Sequence, residues 1–502
     1  MPSIAALLVK NWILGVTCIL TSLLVFEQIV HRCKKRHLPG PSWKIPVIGS
    51  FLDSLHPEVE KYKKQWASGP LSAVSVFNIF VVIASSNEYA RKIYSSPDYA
   101  CPMLVKTAWK VLMDDNWVFM VGKAHAAYRK ELNVMFTRKA LGMYVGIQDV
   151  LCRKHINNWI EASKLNSSAE PILFPVRDLN MEISLRVFCG ENIPAHAIKE
   201  VNDKYWLITI GLQLVSFPFA LPGTSMYNAI QARKVAYKWL ELAVKNAKIK
   251  MAAEGAQSES MIETWIHTMQ DPAYKGRKDF NDREMAISLL SFLFASQDAM
   301  SSGVVYALQH LVDHPEILAK VREEQIRVRG DNLQRPLTLE MLDEMTYLRA
   351  FVKESLRAKP PVVLVPYACT KTWRINDEYT VPKGTLLAAS IYPSCHDPAV
   401  YPEPDKIMPE RWINVEPSPP STASTRNYLV FGHGPHKCIG AEYAQLHIIL
   451  TLANVAVMAD IEHEVTSASN EPQIISTLYP KDGCRMRFRT RSQQEIIHAL
   501  SK

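Results

Sequence analysis

A short stretch near the C-terminus, Phe431-Gly-His-Gly-Pro-His-Lys-Cys438-Ile-Gly440, constrains this chain more than any other part of it. Gly432 and Gly434 carry no Cβ, so the backbone can turn tightly there and pass close to a flat macrocycle. Gly440 leaves room for the segment that follows, an apolar run from Ala441 to Val457 that reads as a helix. Cys438 then sits at a helix N-terminus, where unpaired N–H groups and the helix dipole favour an anion and are expected to lower the thiol pKa. A buried structural cysteine would account for a lone Cys between two glycines. The full spacing Phe-x-x-Gly-x-x-x-Cys-x-Gly is much less permissive, and it points to a thiolate that ligates the metal of a macrocycle.

Composition limits the rest. The chain has 502 residues, 48% of them hydrophobic, enough for a large core, and no Gly/Ser-rich linker, charge block or internal repeat divides it. A short leader, residues 1–37, and one large catalytic domain, residues 38–502, are expected. Against 49 Asp and Glu there are 57 Lys and Arg, a net charge of +8 spread thinly except for one cluster, so nucleic acid gains no support as a partner. Nine cysteines without a Cys-x-x-Cys pair argue for a reducing compartment and against a disulfide framework.

From Asn11 to Phe26 the leader is almost wholly apolar or small, and the apolar character persists past Glu27 to Val30, enough for a membrane span of roughly 20 residues. His31-Arg-Cys-Lys-Lys-Arg-His37 follows at once. Basic residues after the span, against Lys10 before it, predict a single-pass anchor in the lipid bilayer with the bulk of the protein in the cytosol. A cleaved signal peptide has the reverse order. Leu38-Pro-Gly-Pro41 then makes a stiff turn.

Further along, Asn281 or Asp282 can cap a helix that runs through Met285 to Ala295 and on to Leu311, stopping before His314-Pro315. Apolar on most faces, it carries Gln297-Asp298 at its centre. A buried acid needs a partner on a neighbouring helix or a chemical task. Glu354-Ser-Leu-Arg357 sets opposite charges on one helical face, by itself an ordinary local pair. In Gly122-Lys-Ala-His125-Ala-Ala-Tyr-Arg129, the arginine suits a carboxylate bidentately.

Together these segments resemble the cytochrome P-450 superfamily from Leu38 onward. The resemblance implies a mainly α fold with a small β region, behind a single N-terminal transmembrane helix. It implies haem b with Cys438 as axial thiolate, Phe431, Gly434 and Gly440 shaping the loop, and Arg129, His125 and His436 facing the haem propionates, with His125 where tryptophan is usual. Asp298 would help deliver protons to bound oxygen. Arg411, in Pro409-Glu-Arg-Trp412, would join Glu354 and Arg357 in a buried structural brace. Electrons would come from NADPH through NADPH-cytochrome P-450 reductase, and the leader with its proline hinge implies the endoplasmic reticulum membrane.

Phe292-Leu-Phe-Ala-Ser-Gln-Asp-Ala299, Val365-Pro-Tyr367, Tyr379-Thr-Val-Pro-Lys-Gly384 and Pro480-Lys-Asp-Gly483 narrow the resemblance to the fungal sterol C-22 desaturases. Where that group runs Ala-Ser-Gln-Asp-Ala-Thr-Ser-Ser, this chain has Met300 in the threonine's place. A thioether has no proton to donate. Ser301 and Ser302 are the candidates to replace the hydroxyl, and Met300 is a candidate to shape the cavity, with Pro361 to Val365 and Leu478-Tyr479 as apolar walls. The expected activity is hydroxylation or desaturation of a hydrophobic polycyclic substrate, a sterol, terpenoid or other secondary metabolite, by a diverged paralogue. The alternatives are an orthologous C-22 desaturase and a non-catalytic haem or sterol-binding protein.

Overall fold

Long helical runs alternate along this chain with short β-branched ones, and the two kinds of segment collect in different places. The computed structural model describes residues 4–51, 57–77, 79–103, 106–166, 168–212, 220–413 and 423–491. They fall into two units.

The first unit, residues up to Met103 with Leu364–Pro393, is built on a five-stranded sheet in the order Leu71–Val76, Ile79–Ala84, Leu386–Ser390, Leu364–Cys369, Ala100–Pro102. Neighbours run antiparallel except Ile79–Ala84 beside Leu386–Ser390, which are parallel. Ile79-Phe-Val-Val-Ile-Ala84 is buried from Phe80 onward, which is why this strand reads as an unbroken apolar run. The leader forms one helix, Ile4–Lys35, whose last turn carries Arg32, Lys34 and Lys35 where the dipole favours cations. Its stretch Trp12–Lys35 reaches a mean hydropathy of 2.1 in a window of which none is buried. The end of the helix is fastened within the unit. The His31 ring meets Ser75 Oγ at 2.9 Å and the Pro41 carbonyl at 3.0 Å, and the Tyr379 hydroxyl donates to the Lys34 carbonyl at 2.8 Å.

The second unit, Leu104–Val363 with Ser394–Lys502, is mainly helical. Its central helix, Asp282–Asp313, packs on Leu173–Cys189, Ser225–Met251, Thr346–Ala358 and Ala441–Met458. Asn281 starts it with a capping box: its side chain accepts from the Glu284 N–H at 2.9 Å, while the Glu284 carboxylate accepts from the Asn281 N–H at 3.0 Å. Pro315, with no N–H to offer, opens the next helix, Pro315–Arg329. Serines tolerate this apolar setting by bonding back to their own helix, Ser288 to the Glu284 carbonyl at 2.9 Å and Ser291 to that of Ser288 at 2.7 Å. At Gly303 a Cβ would sit 3.0 Å from Ile448 Cδ1, so glycine sets how closely the central helix approaches Ala441–Met458. The latter, though apolar enough to span a bilayer, is 78% buried and serves as core.

Candidate functional site

Gly432 at φ +70° and Gly434 at φ +74° take the left-handed conformation that side chains disfavour, and they reverse the chain ahead of Cys438. The Cys438 N–H donates to the Phe431 carbonyl at 2.9 Å and closes the loop, and the helix Ala441–Met458 begins at once with Gly440 as its N-cap. A Cβ on Gly440 would meet only Phe136, at an ordinary 3.9 Å, so packing does not demand glycine there as the sequence reading expected. The thiol is exposed, yet the protein packed around it raises its pKa. The lowering expected from the helix N-terminus is present, from the Gly440 N–H and from Arg129 and Lys437, but burial outweighs it. A sulfur in this position becomes a stable thiolate only when a metal cation replaces its proton.

Beside it lie a guanidinium and two imidazoles. The Arg129 guanidinium, on the helix Gly122–Leu132, donates to the Lys437 carbonyl within the cysteine loop. The His125 ring, one turn earlier, stacks on His436 with 3.9 Å between centroids and lies near-parallel to Trp117 at 5.9 Å. Burial, with Arg129 adding to it, lowers the His125 pKa, and burial with His125 and Arg129 holds His436 down to about 4. Among the described residues no carboxylate pairs with any of the three. Three groups able to carry positive charge, next to a desolvated sulfur and lacking an anion, fit a flat metal macrocycle that brings its own carboxylates, and haem is such a group.

Asp298 is already engaged. The Arg177 guanidinium and the Thr209 hydroxyl, the latter at 3.1 Å, donate to its Oδ1, while Ser476 Oγ donates to Oδ2 at 2.8 Å. Arg177 itself lies 4.6 Å over the Trp206 ring. Burial acts to lower the Arg177 pKa, but the charge of Asp298 overcomes it and the value ends above the usual guanidinium range. Ser301 donates to the Gln297 carbonyl at 2.6 Å and accepts from Asn180 at 2.9 Å; Asn180 in turn meets His447 Nε2 at 2.7 Å. Ser302 donates to the Leu478 carbonyl. One turn of helix thus brings the three expected groups together, and three different neighbours hold them.

Other sequence expectations shift. Met300 is 4% exposed and packs in the apolar core. The open surface on this helix is at Ala295, with Phe294 and Ala299 half-buried beside it, and five residues of α-helix turn Met300 roughly 140° away from Ala295. Leu478 and Tyr479 are fully buried and back the central helix, the Tyr479 hydroxyl donating to the Asp298 carbonyl at 3.0 Å, so they do not wall an open cavity. The expected strand at Pro361 begins at Leu364. Arg177, Thr209 and Ser476 were not foreseen. An arginine inside the apolar run Leu173-Phe-Pro-Val-Arg177-Asp-Leu was the one signal that could have found the partner of Asp298.

Glu354 and Arg357, both without solvent exposure, form a two-bonded pair at 2.9 Å. Arg411 adds a bond to Glu354 at 3.1 Å, Trp412 Nε1 another at 2.9 Å and the Met408 N–H a third at 3.1 Å. Arg357 spends its remaining donors on the carbonyls of Cys395 at 2.9 Å and Pro404 at 2.7 Å.

Comparison with known proteins bears on the whole of this arrangement. The profile of the family described as Cytochrome P450 matches residues 38–478. The C-22 sterol desaturase ERG5 of Saccharomyces cerevisiae is 39% identical over 478 residues, covering 93% of this chain and 88% of the relative. A cytochrome P450 monooxygenase, oblE, of Emericella variicolor is 36% identical over 493 residues, with 94% and 92% covered. Among solved structures, retinoic acid bound cyanobacterial CYP120A1 superposes with a TM-score of 0.75 at 23% identity, over 89% of this chain and 98% of that one, a likeness of fold.

Proposed function

The chain belongs to the cytochrome P450 family, and on that premise we propose that it hydroxylates or desaturates a hydrophobic polycyclic substrate: a sterol, a terpenoid or another secondary metabolite. It is an oxidoreductase with the P450 fold. The reading is carried by one observation: an exposed but desolvated Cys438 sulfur beside the Arg129 guanidinium and the His125 and His436 imidazoles, donors with no carboxylate partner among the described residues.

A bound haem b supplies dioxygen activation, since a thiolate ligand favours O–O cleavage. Cys438 provides that thiolate, and Phe431, Gly434 and Gly440 shape the loop that presents it. Arg129, His125 and His436 take the carboxylates of the group and fix its orientation. Asp298 relays protons from solvent toward the open face of the central helix at Ala295, the Ser476 hydroxyl at Oδ2 passing on one proton as it takes up another from water. Ser301 and Ser302 are the neighbouring hydroxyls of that relay, joining it when their bonds to the Gln297 and Leu478 carbonyls exchange. NADPH-cytochrome P-450 reductase delivers the electrons. Residues 1–37 anchor the enzyme in the endoplasmic reticulum membrane, with residues 38–502 in the cytosol; the long apolar leader and the basic residues that end it support this orientation.

The test is product mass. Incubated with NADPH, a reductase and a panel of sterols and terpenoids, the enzyme should give a product one oxygen heavier or two hydrogens lighter than its substrate. Neither product nor NADPH oxidation above that of the reductase alone, across the panel, would leave a haem or sterol-binding protein instead. A second reading, an orthologous C-22 desaturase, is favoured by the 39% identity to the yeast enzyme. Full restoration of the side-chain double bond in a fungus lacking that enzyme would establish it; we expect incomplete restoration, because Met300 removes a hydroxyl from the turn that carries Asp298.

A further inference from the structure

We propose that a polar cavity within the helical unit, about 230 Å³ in volume and lined by Gln309, His310, Ala358, Lys359 and Asp405, binds a small zwitterion, a free amino acid, through its ammonium and carboxylate groups. None of its described lining residues belongs to the cysteine loop or to the turn of Asp298, so the inference is independent of the oxidation proposed above.

The cavity forms where two helices end. Tyr306, Gln309, His310 and Asp313 share one face in the last turns of the central helix, at positions i, i+3, i+4 and i+7, and Ala358 is the last residue of Thr346–Ala358, with Lys359 as its C-cap. The carbonyls that a helix leaves unpaired at its C-terminus bias this region toward a cation. Gln309 adds an unanswered acceptor. Its Nε2 donates to the Ser469 carbonyl at 3.2 Å, which fixes the orientation of the amide, and its Oε1 is then left without a partner although the residue is only 4% exposed. A buried carbonyl oxygen in that state is costly unless a donor reaches it. Asp405, exposed at the rim, is a second such acceptor, with no hydrogen bond or ion pair among the described residues. Asp313 is already taken, by His463 Nδ1 at 2.7 Å.

Lys359 supplies the opposite sign. It is half-buried in the wall, and its Nζ lies 5.8 Å from the centre of the Tyr306 ring, which lines the same cavity. His310 adds no further charge: burial, followed by the charges of Lys359 and His314, pushes it down to about 3, and its Nδ1 meets Ser355 Oγ at 2.9 Å. A simple anion would be repelled by Asp405 and a simple amine by Lys359, whereas a molecule carrying both charges answers both and brings the donor that Gln309 lacks. A metal ion does not fit. His310, His314 and His396 all line the cavity, yet among the described residues no three His, Cys, Asp or Glu side chains are placed to share one. At about 30 Å³ per molecule the space equals roughly seven or eight waters, which suits an amino acid and is too small for a sterol or a nucleotide.

Binding should be measured by equilibrium dialysis of the full-length, haem-loaded protein against each genetically encoded amino acid in radiolabelled form. At least one is expected to bind saturably. No saturable binding of any of them up to about 10 mM, an affinity too weak for a site with two charged contacts, overturns the proposal and leaves the cavity to water. For the amino acid that binds best, the carboxylic acid lacking its amino group and the amine lacking its carboxyl group should each bind about tenfold more weakly or worse, as one charge-assisted contact is lost. Equal affinity for either analogue overturns the zwitterion, and this comparison needs no variant. Gln309→Leu and Lys359→Met should each raise the dissociation constant about tenfold, with an unaltered haem spectrum showing that the variants are folded. An unchanged constant in either variant also overturns the proposal.

Discussion

Two charged clusters in the helical unit are built from the same ingredients and balanced in opposite ways. Around Glu354 every charge is answered: two arginines, an indole N–H and a backbone N–H converge on one carboxylate, and the spare donors of Arg357 end on carbonyls. Beside Cys438 the sum is left open, with one guanidinium and two imidazoles and no carboxylate among the described residues. A closed network in a site without solvent holds chain segments in place and can bind nothing more. An open one is prepared for a partner that brings the missing charge. That contrast, more than the identity of any residue, separates the brace from the site.

Its sharpest test is to open the closed cluster. Glu354→Ala strands Arg357 where no water reaches it, an expected cost of roughly 3–5 kcal/mol against a total stability of about 5–15 kcal/mol. The thermal midpoint should therefore fall by several degrees or more, with most of the stability lost if the protein lies at the low end of that range; an unchanged midpoint would mean that the brace is ornamental. Arg129→Ala should do far less to the fold and more to the cofactor, loosening haem retention about tenfold as one charge-assisted contact is lost, measured by haem transfer to an apo-globin acceptor. If it unfolds the protein as Glu354→Ala does, the two clusters are not different in kind.

A smaller effect lies in pH. Burial, with His125 and Arg129 beside it, holds His436 at about 4 in the folded chain, below its ordinary value near 6.5. Between these values the unfolded chain binds the proton and the folded one does not, so protein lacking haem should lose stability as pH falls from 6.5 towards 4. His310 and His447, both pushed down to about 3 by burial, act in the same direction. His436→Gln should make the fall in thermal midpoint shallower without abolishing it, and binding of haem should reduce the contribution of His436 by supplying carboxylates. An identical slope in the variant would remove His436 from the open cluster. Asp298 lies between the two cases, closed by Arg177 yet on the helix that offers Ala295 as open surface. Asp298→Asn keeps an acceptor for Arg177 and should cost only about 1–2 kcal/mol, while turnover slows and more NADPH is lost to peroxide. Unchanged rate and coupling would assign Asp298 wholly to structure.

Much of this could be read beforehand because the governing interactions are local. Turns at Gly432 and Gly434, the helix from Ala441, the cap at Asn281 and the stop at Pro315 depend on neighbours within a few residues. So did the apolar leader. What escaped the sequence depends on distant pairing. Arg177 reaches Asp298 from another helix, and its role follows from the packing of Leu173–Cys189 on the central helix. Met300 was expected to border the cavity, but helix rotation turns it into the core. The thiol pKa was misjudged because the helix N-terminus is a local effect, legible in sequence, whereas desolvation by surrounding chain is not.

That desolvation bears on the folded chain before any cofactor is bound. With its pKa above the ordinary thiol value, Cys438 stays protonated at neutral pH until the cofactor arrives. A protonated sulfur is a poor nucleophile, so in the folded chain this thiol should react more slowly with oxidants and disulfides than an unperturbed cysteine. Loading must then expel that proton, and acid opposes assembly by mass action long before it unfolds the chain.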